Sequence, residues 1–312
     1  MTPRCAVYVD AGYLLAAAAT RATGTSLRGG ISADHERLVA ALIAHAEERS
    51  GLPLLRVHWY DAAENGVPDA TQRKIGLLSR VKLRLGRIGF DGEQKGVDLR
   101  IGLDLVAHAR NAAIDSAYLV SGDDDLTEAV EEAQAHGLQV IILAVPGRTG
   151  APHGVSHHLH AAADDLELLA ADDLDSAITR RHAPTPAVGA TAQAPVPSPA
   201  LLANRPRPTP TRTEPAPPTG LVYSSTTALA FPADLTETID SVARHVLTSW
   251  SSGRSKEELA ELETARPSIP REVDRALLRD LSDASGLQDL SDPIRYQLRA
   301  RFWAEVDQFN QP

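Results

Sequence analysis

Aspartates stand where short apolar runs stop. Asp10 closes the run Ala6-Val7-Tyr8-Val9, and Asp123-Asp124-Asp125 follows Ala117-Tyr118-Leu119-Val120-Ser121-Gly122. A third acid, Asp98, comes after Lys95-Gly96-Val97 at the start of a helical pattern, where free backbone N–H groups favour a carboxylate. Asp104 lies six residues further on, and six residues of regular helix turn about 600°, so Asp98 and Asp104 cannot both aim squarely at one ion. Asp104 is therefore an accessory candidate. Carboxylates gathered in one place need a counter-charge, because two like charges 4 Å apart repel by about 4 kcal/mol at an effective dielectric near 20. All-oxygen ligation suits Mg²⁺ or Mn²⁺, and such an ion can activate water for attack on a phosphodiester. Taken one at a time, Asp10 and Asp98 also read as helix caps and Asp123–Asp125 as a solvated turn. Capping explains each acid singly but not why all should emerge together.

The elements that position them supply the reason. Apolar runs at Cys5–Val9, Leu54–Tyr60, Leu83–Phe90, Ala117–Ser121 and Gln139–Ala144 read as strands. Helical patterns lie between them near 13–21, 35–49, 68–80, 98–110 and 125–136, and Gly137 falls where a left-handed residue ends a helix. Strands alternating with helices give right-handed crossovers and a mostly parallel sheet flanked by helices. In an open parallel sheet all strand carboxyl ends share one edge, where ligands bind. Strand-end aspartates from separate strands then face one crevice.

Beyond residue 182 the pattern changes. Residues 184–218 hold 11 of the 21 prolines, and proline breaks both helix and ladder. The chain thus divides into an α/β domain over 1–182, a Pro/Ala/Thr-rich disordered linker over 183–220 and a small all-α module over 221–312, in form a helical bundle or winged-helix-like. Within that module Leu235–Trp250, Lys256–Thr264, Arg271–Leu281 and Pro293–Phe309 carry apolar residues three or four apart. Ser255 and Asp292 stand as helix caps.

Composition narrows the function. The single cysteine, Cys5, excludes a disulfide framework and multi-cysteine metal sites. No apolar stretch reaches the roughly 20 residues that span a bilayer, and the N-terminus lacks a signal-peptide core, which points to a cytoplasmic setting without membrane attachment. Net charge is −10, and residues 1–182 hold 18 basic against 25 acidic groups. Yet Thr71–Phe90 carries Arg73, Lys74, Arg80, Lys82, Arg84 and Arg87 with no acid. Local potential steers a polyanion, so this strip is either an RNA-backbone grip or a solvated helix followed by a charge-protected edge strand.

Together the segments Ala6-Val7-Tyr8-Val9-Asp10-Ala11-Gly12-Tyr13, Lys95-Gly96-Val97-Asp98 with Asp104-Leu105, and Ser121-Gly122-Asp123-Asp124-Asp125-Leu126 resemble the NYN domain family of the PIN-like nuclease superfamily. The Gly137-Leu138-Gln139-Val140 strand and the closing Ser156–Leu159 and Asp164–Leu166 segments fit it too, so the resemblance covers about residues 5–170. It implies a PIN-like Rossmannoid sheet and a metal-dependent ribonuclease. Asp10, Asp98, Asp123 and Asp125 take its metal-binding, catalytic positions for Mg²⁺ or Mn²⁺, with Asp124 variable between two of them. Ser121 lines the pocket or binds a phosphate oxygen. Many members carry Asn where this chain has Tyr13, so a polar contact is either missing or supplied by the phenol. RNA is the expected substrate, with Arg73, Lys74, Arg80, Lys82 and Lys95 on its backbone. The alternative is a catalytically inactive RNA-binding or protein-interaction adaptor on the same fold, with a protein partner reached through the C-terminal module.

Other features have plainer readings. His153, His157, His158 and His160 mark a loop entering a helix, since Gly154 interrupts them and no fixed carboxylate partner is apparent. Trp59 and Tyr60 at a strand end pack the core rather than stack on bases. A strand-end aspartyl phosphatase typically needs a second aspartate two residues after the first, where this chain has Gly12. Arg271, Arg275, Arg279, Arg295, Arg299 and Arg301 recur at helical spacing among 15 acids, which reads as surface ion pairing, the alternative being an accessory RNA- or protein-binding module tethered by the proline linker.

Overall fold

The computed structural model describes residues 2–88, 94–181, 233–252, 254, 261–287 and 290–309. The expected linker, the end of the Leu83–Phe90 run, Ser255 and most of Lys256–Thr264 lie outside the described residues, as does the Lys95 side chain.

Apolar runs with β-branched and aromatic residues pair side by side. The strands are β1 (Cys5–Asp10), β2 (Ile31–Ala33), β3 (Leu54–Glu64), β4 (Val81–Ile88), β5 (Gln94–Lys95), β6 (Ser116–Val120), β7 (Gln139–Ala144), β8 (Asp165–Leu168) and β9 (Ile178–Arg180). Seven form one sheet in the order β5-β4-β3-β1-β6-β7-β8. Six of these run parallel, and only the two-residue β5 pairs antiparallel, on β4. β2 and β9 make a separate antiparallel ladder. The central strand β1 is covered on both faces, which is why Cys5–Val9 is apolar at every position and fully buried.

Crossover helices coat the two faces. On one lie α1 (Ala11–Thr23), α2 (His35–Ser50), α3 (Ala70–Gly76) and α7 (Ala171–Ala177), which bury Leu14, Leu38, Leu42, Ile75 and Leu174. On the other lie α4 (Val97–Arg110), α5 (Thr127–Ala135) and α6 (His157–Ala162), which bury Ile101, Leu105, Val130 and Leu159. Fully burying one such side chain contributes about 1.5–3 kcal/mol. The expected strands and helices are present within a few residues, and Gly137 takes φ +85° as its position demanded. Trp59 and Tyr60 are fully buried core residues. The three-residue strands β2 and β9 escaped the sequence pattern because they are too short to show a period.

The C-terminal stretch is helical: α8 (Ala233–Ser251), α9 (Arg271–Ser285) and α10 (Asp292–Phe309), joined through Ile239, Val246, Leu277, Leu298 and Phe302. No strand occurs among its described residues. Arg299 forks onto Asp274 at 2.7 and 2.8 Å, Arg266 onto Asp307 at 2.9 Å twice, and Arg301 pairs with Asp240. These helices pack on the α/β portion, so that 1–183 and 233–312 make one compact unit. Among the described residues no helix is long and apolar enough to cross a membrane.

Candidate active site

The end of β1 places the first acid. Asp10 both terminates the strand and caps α1, accepting the Gly12 N–H on Oδ1 at 2.7 Å. It is only 9% exposed. Burial first, and then the neighbouring Asp98, push its pKa up to about 6, against opposition from the Tyr13 and Gly12 N–H groups and Arg28. Asp98 sits in the first turn of α4, which opens on Gly96 at φ +77°, a left-handed turn that glycine makes without strain. Its carboxyl is raised by burial and by Asp123 and Asp125. Asp123 follows β6 and caps a short 3₁₀ turn, Asp124–Leu126, by accepting the Asp125 N–H at 3.2 Å. Capping is thus a real part of what Asp10 and Asp123 do, but it leaves carboxylate oxygens over.

Asp10, Asp98 and Asp123 line one cavity of about 380 Å³ at the carboxyl edge of the sheet. Asp125 is absent from its lining, though its charge is felt at Asp98. Gly122 of the Ser-Gly-Asp segment has a steric cause: a Cβ there would meet the Gly154 carbonyl oxygen at 1.7 Å and Tyr13 Cε2 at 2.9 Å. Asp124 turns away, accepting from Ser156 Oγ at 2.6 Å with His158 Nδ1 at 3.3 Å, and the Ser156 hydroxyl chiefly holds its pKa below the usual range.

The accessory candidates land elsewhere. Ser121 is fully buried, and its Oγ accepts the Asp123 N–H at 3.3 Å, so it shapes the turn rather than lining the cavity. Tyr13 lines the cavity with its ring, but its phenol is committed: it donates to the His153 carbonyl at 2.7 Å and accepts the Val145 N–H at 3.2 Å. Of the two alternatives, a missing polar contact or one supplied by the phenol, the second would have to draw on a hydroxyl already engaged by the backbone. Asp104 points to the α4–β4 side, where Arg84 grips it at 2.8 and 2.5 Å and the Tyr60 hydroxyl donates to it at 2.8 Å. Burial raises its pKa, but these partners outweigh that and hold it low.

The basic strip is spread along the molecule. Arg80 pairs with Glu47 at 2.9 Å where β4 begins, and Lys82 sits level with His58 and Tyr8, two positions before Asp10, and neither lines the acidic cavity. Arg73 and Lys74 are exposed on α3, where Arg73 donates to the Pro68 carbonyl at 2.9 Å. The cations that do line the acidic cavity are Arg28, Arg275 and Arg279. Their sequence signal was faint: Arg275 and Arg279 stand four apart, hence on one helix face, but within an acidic stretch.

A hard divalent cation fits the donor chemistry. Every candidate ligand is a carboxylate oxygen, and Asp10 and Asp98 are both raised by burial and neighbouring acids, a concentration of charge that a cation relieves. Among the described residues no three carboxylate, imidazole or thiolate side chains stand arranged to hold an ion as they are. Ligation by these acids would require rotation of their side chains, and Asp123 and Asp125 are exposed.

The NYN domain family model matches residues 4–169, more than half of the chain. The chain belongs to the NYN domain family. That family is generally one of nucleases, and its PIN-like fold agrees with the parallel sheet seen here. A 76-residue stretch is 43% identical to "Uncharacterized protein y4oD" of Sinorhizobium fredii (strain NBRC 101917 / NGR234). This similarity covers 24% of the present chain and 36% of that relative, so the chain spans about a third of its length.

Proposed function

We propose that this NYN domain is a metal-dependent ribonuclease that hydrolyses RNA phosphodiesters at the carboxyl edge of its sheet. One observation carries the reading: acids from three segments far apart in sequence, Asp10, Asp98 and Asp123, line one cavity, with arginines on the same lining. Asp10, Asp98, Asp123 and Asp125 would hold Mg²⁺ or Mn²⁺. The ion supplies charge neutralisation at the phosphate and activation of water. The chain's own residues do the rest. The Gly12 N–H fixes one Asp10 oxygen, so the carboxylate is preorganised at 2.7 Å. Gly122 lets the Gly154 backbone close against the turn that carries Asp123.

The test is cleavage of a labelled single-stranded RNA with Mn²⁺ by the full chain and by Asp123→Asn. Cleavage abolished by EDTA and by the substitution supports the reading, and cleavage that survives either removes it. A second reading, the catalytically inactive RNA-binding or protein-interaction adaptor, draws on the side chains not being arranged to hold an ion as they stand. Calorimetric titration with Mn²⁺ separates the two, since the adaptor predicts no binding that depends on Asp10 and Asp123.

A further inference from the structure

The helix α9 is seated on the α/β portion at two points. The Ser26 N–H donates to Asp280 Oδ1 at 2.9 Å, and Asp283 lies 3.5 Å from His153 Nε2. Between the seats and the helix start, Arg275 and Arg279 share one face and reach the acidic cavity, and Arg279 Nη2 lies 3.6 Å from where a Cβ on Gly154 would be. Arg28, from the loop after α1, lines the same cavity. A second opening of about 540 Å³ continues from Asp123 between Gly154–Ser156 and Ser282–Leu287, so a chain threading through the site runs along the end of α9.

Charge decides what this arrangement suits. Clustered carboxylates repel a phosphodiester, so a polyanion approaches only if cations stand within the Debye length, about 8 Å at physiological ionic strength. The guanidinium fork matches two phosphate oxygens at once, which lysine cannot do. Of the strip, Arg84 is committed to Asp104 and Arg80 to Glu47.

We propose that Arg275 and Arg279, delivered by the C-terminal helix, form with Arg28 the wall that grips the RNA phosphate, so that the substrate lies between the NYN domain and α9 rather than on the Thr71–Ile88 strip. This rests on the ribonuclease reading for the identity of the ligand. The C-terminal helices are then part of the substrate site, and the NYN domain alone is incomplete.

The test uses the full chain and a fluorescent single-stranded oligoribonucleotide, with affinity read by anisotropy in Ca²⁺ at several salt concentrations. Arg275→Ala with Arg279→Ala is expected to weaken binding about 10- to 100-fold and to flatten the log K against log salt slope by about 1.4, at roughly 0.7 for each phosphate no longer neutralised. Mn²⁺ affinity, measured with the metal alone, should stay within about threefold. Arg275→Lys with Arg279→Lys should restore the slope but only part of the affinity, because the forks are gone. Should the alanine pair unfold the helix, crosslinking of wild-type protein to 4-thiouridine RNA gives the answer without substitution, with adducts expected in Arg271–Ser285. Unchanged affinity, tighter binding (the arginines then being a plug) or adducts confined to Thr71–Ile88 would each overturn the proposal. Arginine-dependent RNA binding without any cleavage or Mn²⁺ binding would sink the ribonuclease reading while leaving this one standing.

Discussion

Between Thr71 and Ile88 the chain carries six cations and no acid, whereas Arg271–Ser285 carries three cations and four acids. By composition the first is either an RNA-backbone grip or a solvated helix before a protected edge strand, and the second reads foremost as an ion-paired helix. The folded chain reverses much of that contrast. Arg80 is used on Glu47, Arg84 on Asp104 and Arg73 on a carbonyl, and neither Arg80 nor Lys82 lines the acidic cavity. In α9 two of the acids form the seats, Asp280 on Ser26 and Asp283 by His153, while Arg275 and Arg279 line the cavity. Cation density in sequence measures how strong a local potential could be. Sheet register and helix docking decide where it acts.

The comparison breaks first at the acids, because the ribonuclease reading requires the carboxylates to be the reacting centre. Asp98→Asn should lower Mn²⁺-dependent RNA cleavage at least about 100-fold, since even outer-shell partners of metal ligands cost 10- to 100-fold. Initial rates at saturating RNA check this, and a loss under threefold would leave the acidic edge without a catalytic role. Next come the two cation sets. Arg80→Ala with Lys82→Ala should change RNA affinity less than about threefold, because one is paired and neither lines the cavity. A loss as large as that expected for Arg275 and Arg279 would return the binding surface to the strip.

How legible this was in sequence follows from which interactions are local. The alternation of apolar runs and helical patterns fixed the parallel sheet, and a strand-end rule then placed Asp10 and Asp123 on one edge, with Asp98 beside them at a helix start. Six residues of helix were enough to separate Asp104 from Asp98, and it indeed serves Arg84 and Tyr60. What stayed hidden was set by long-range docking. Tyr13 bonds to residues 132 and 140 positions away. Asp280 meets Ser26 across 254 positions. Neither partner leaves a local pattern, so the sequence could single out Arg275 and Arg279 by their spacing but not show that they line the acidic cavity, nor what the phenol bonds.

Tyr13→Phe sharpens the comparison at the seat of α9. The phenol holds the His153 carbonyl, and His153 is where Asp283 rests. Removing the hydroxyl strands a buried N–H and a carbonyl at a cost of about 1–3 kcal/mol, to be read as a lower urea midpoint. Because the phenol touches neither the acids nor the arginines through its oxygen, cleavage by the folded variant should fall less than about threefold. A larger loss would mean that the loop from Val145 to His153 positions the arginines through α9.

Asp280 gives the smallest effect and a signed one. Burial, the leading cause, pushes its pKa up to about 6 despite the Ser26 N–H, and its second oxygen is buried without a partner. A carboxyl raised above its unfolded value of 3.8 takes up a proton more readily in the folded protein. Its contribution is therefore intact below about pH 4, is lost as pH rises through about 6, and is a standing penalty above that. Asp280→Asn keeps an oxygen for the Ser26 N–H and removes the charge. The shift corresponds to at most about 3 kcal/mol, which residual solvent screening reduces to about 1 kcal/mol, or roughly 2–4 °C in melting temperature. The variant should thus melt higher than wild type at pH 7.5 and equal to it at pH 4, with the gap opening between. A gap that is constant across pH would show that the Asp280 charge does not strain the seat, and that α9 is held by its apolar face instead.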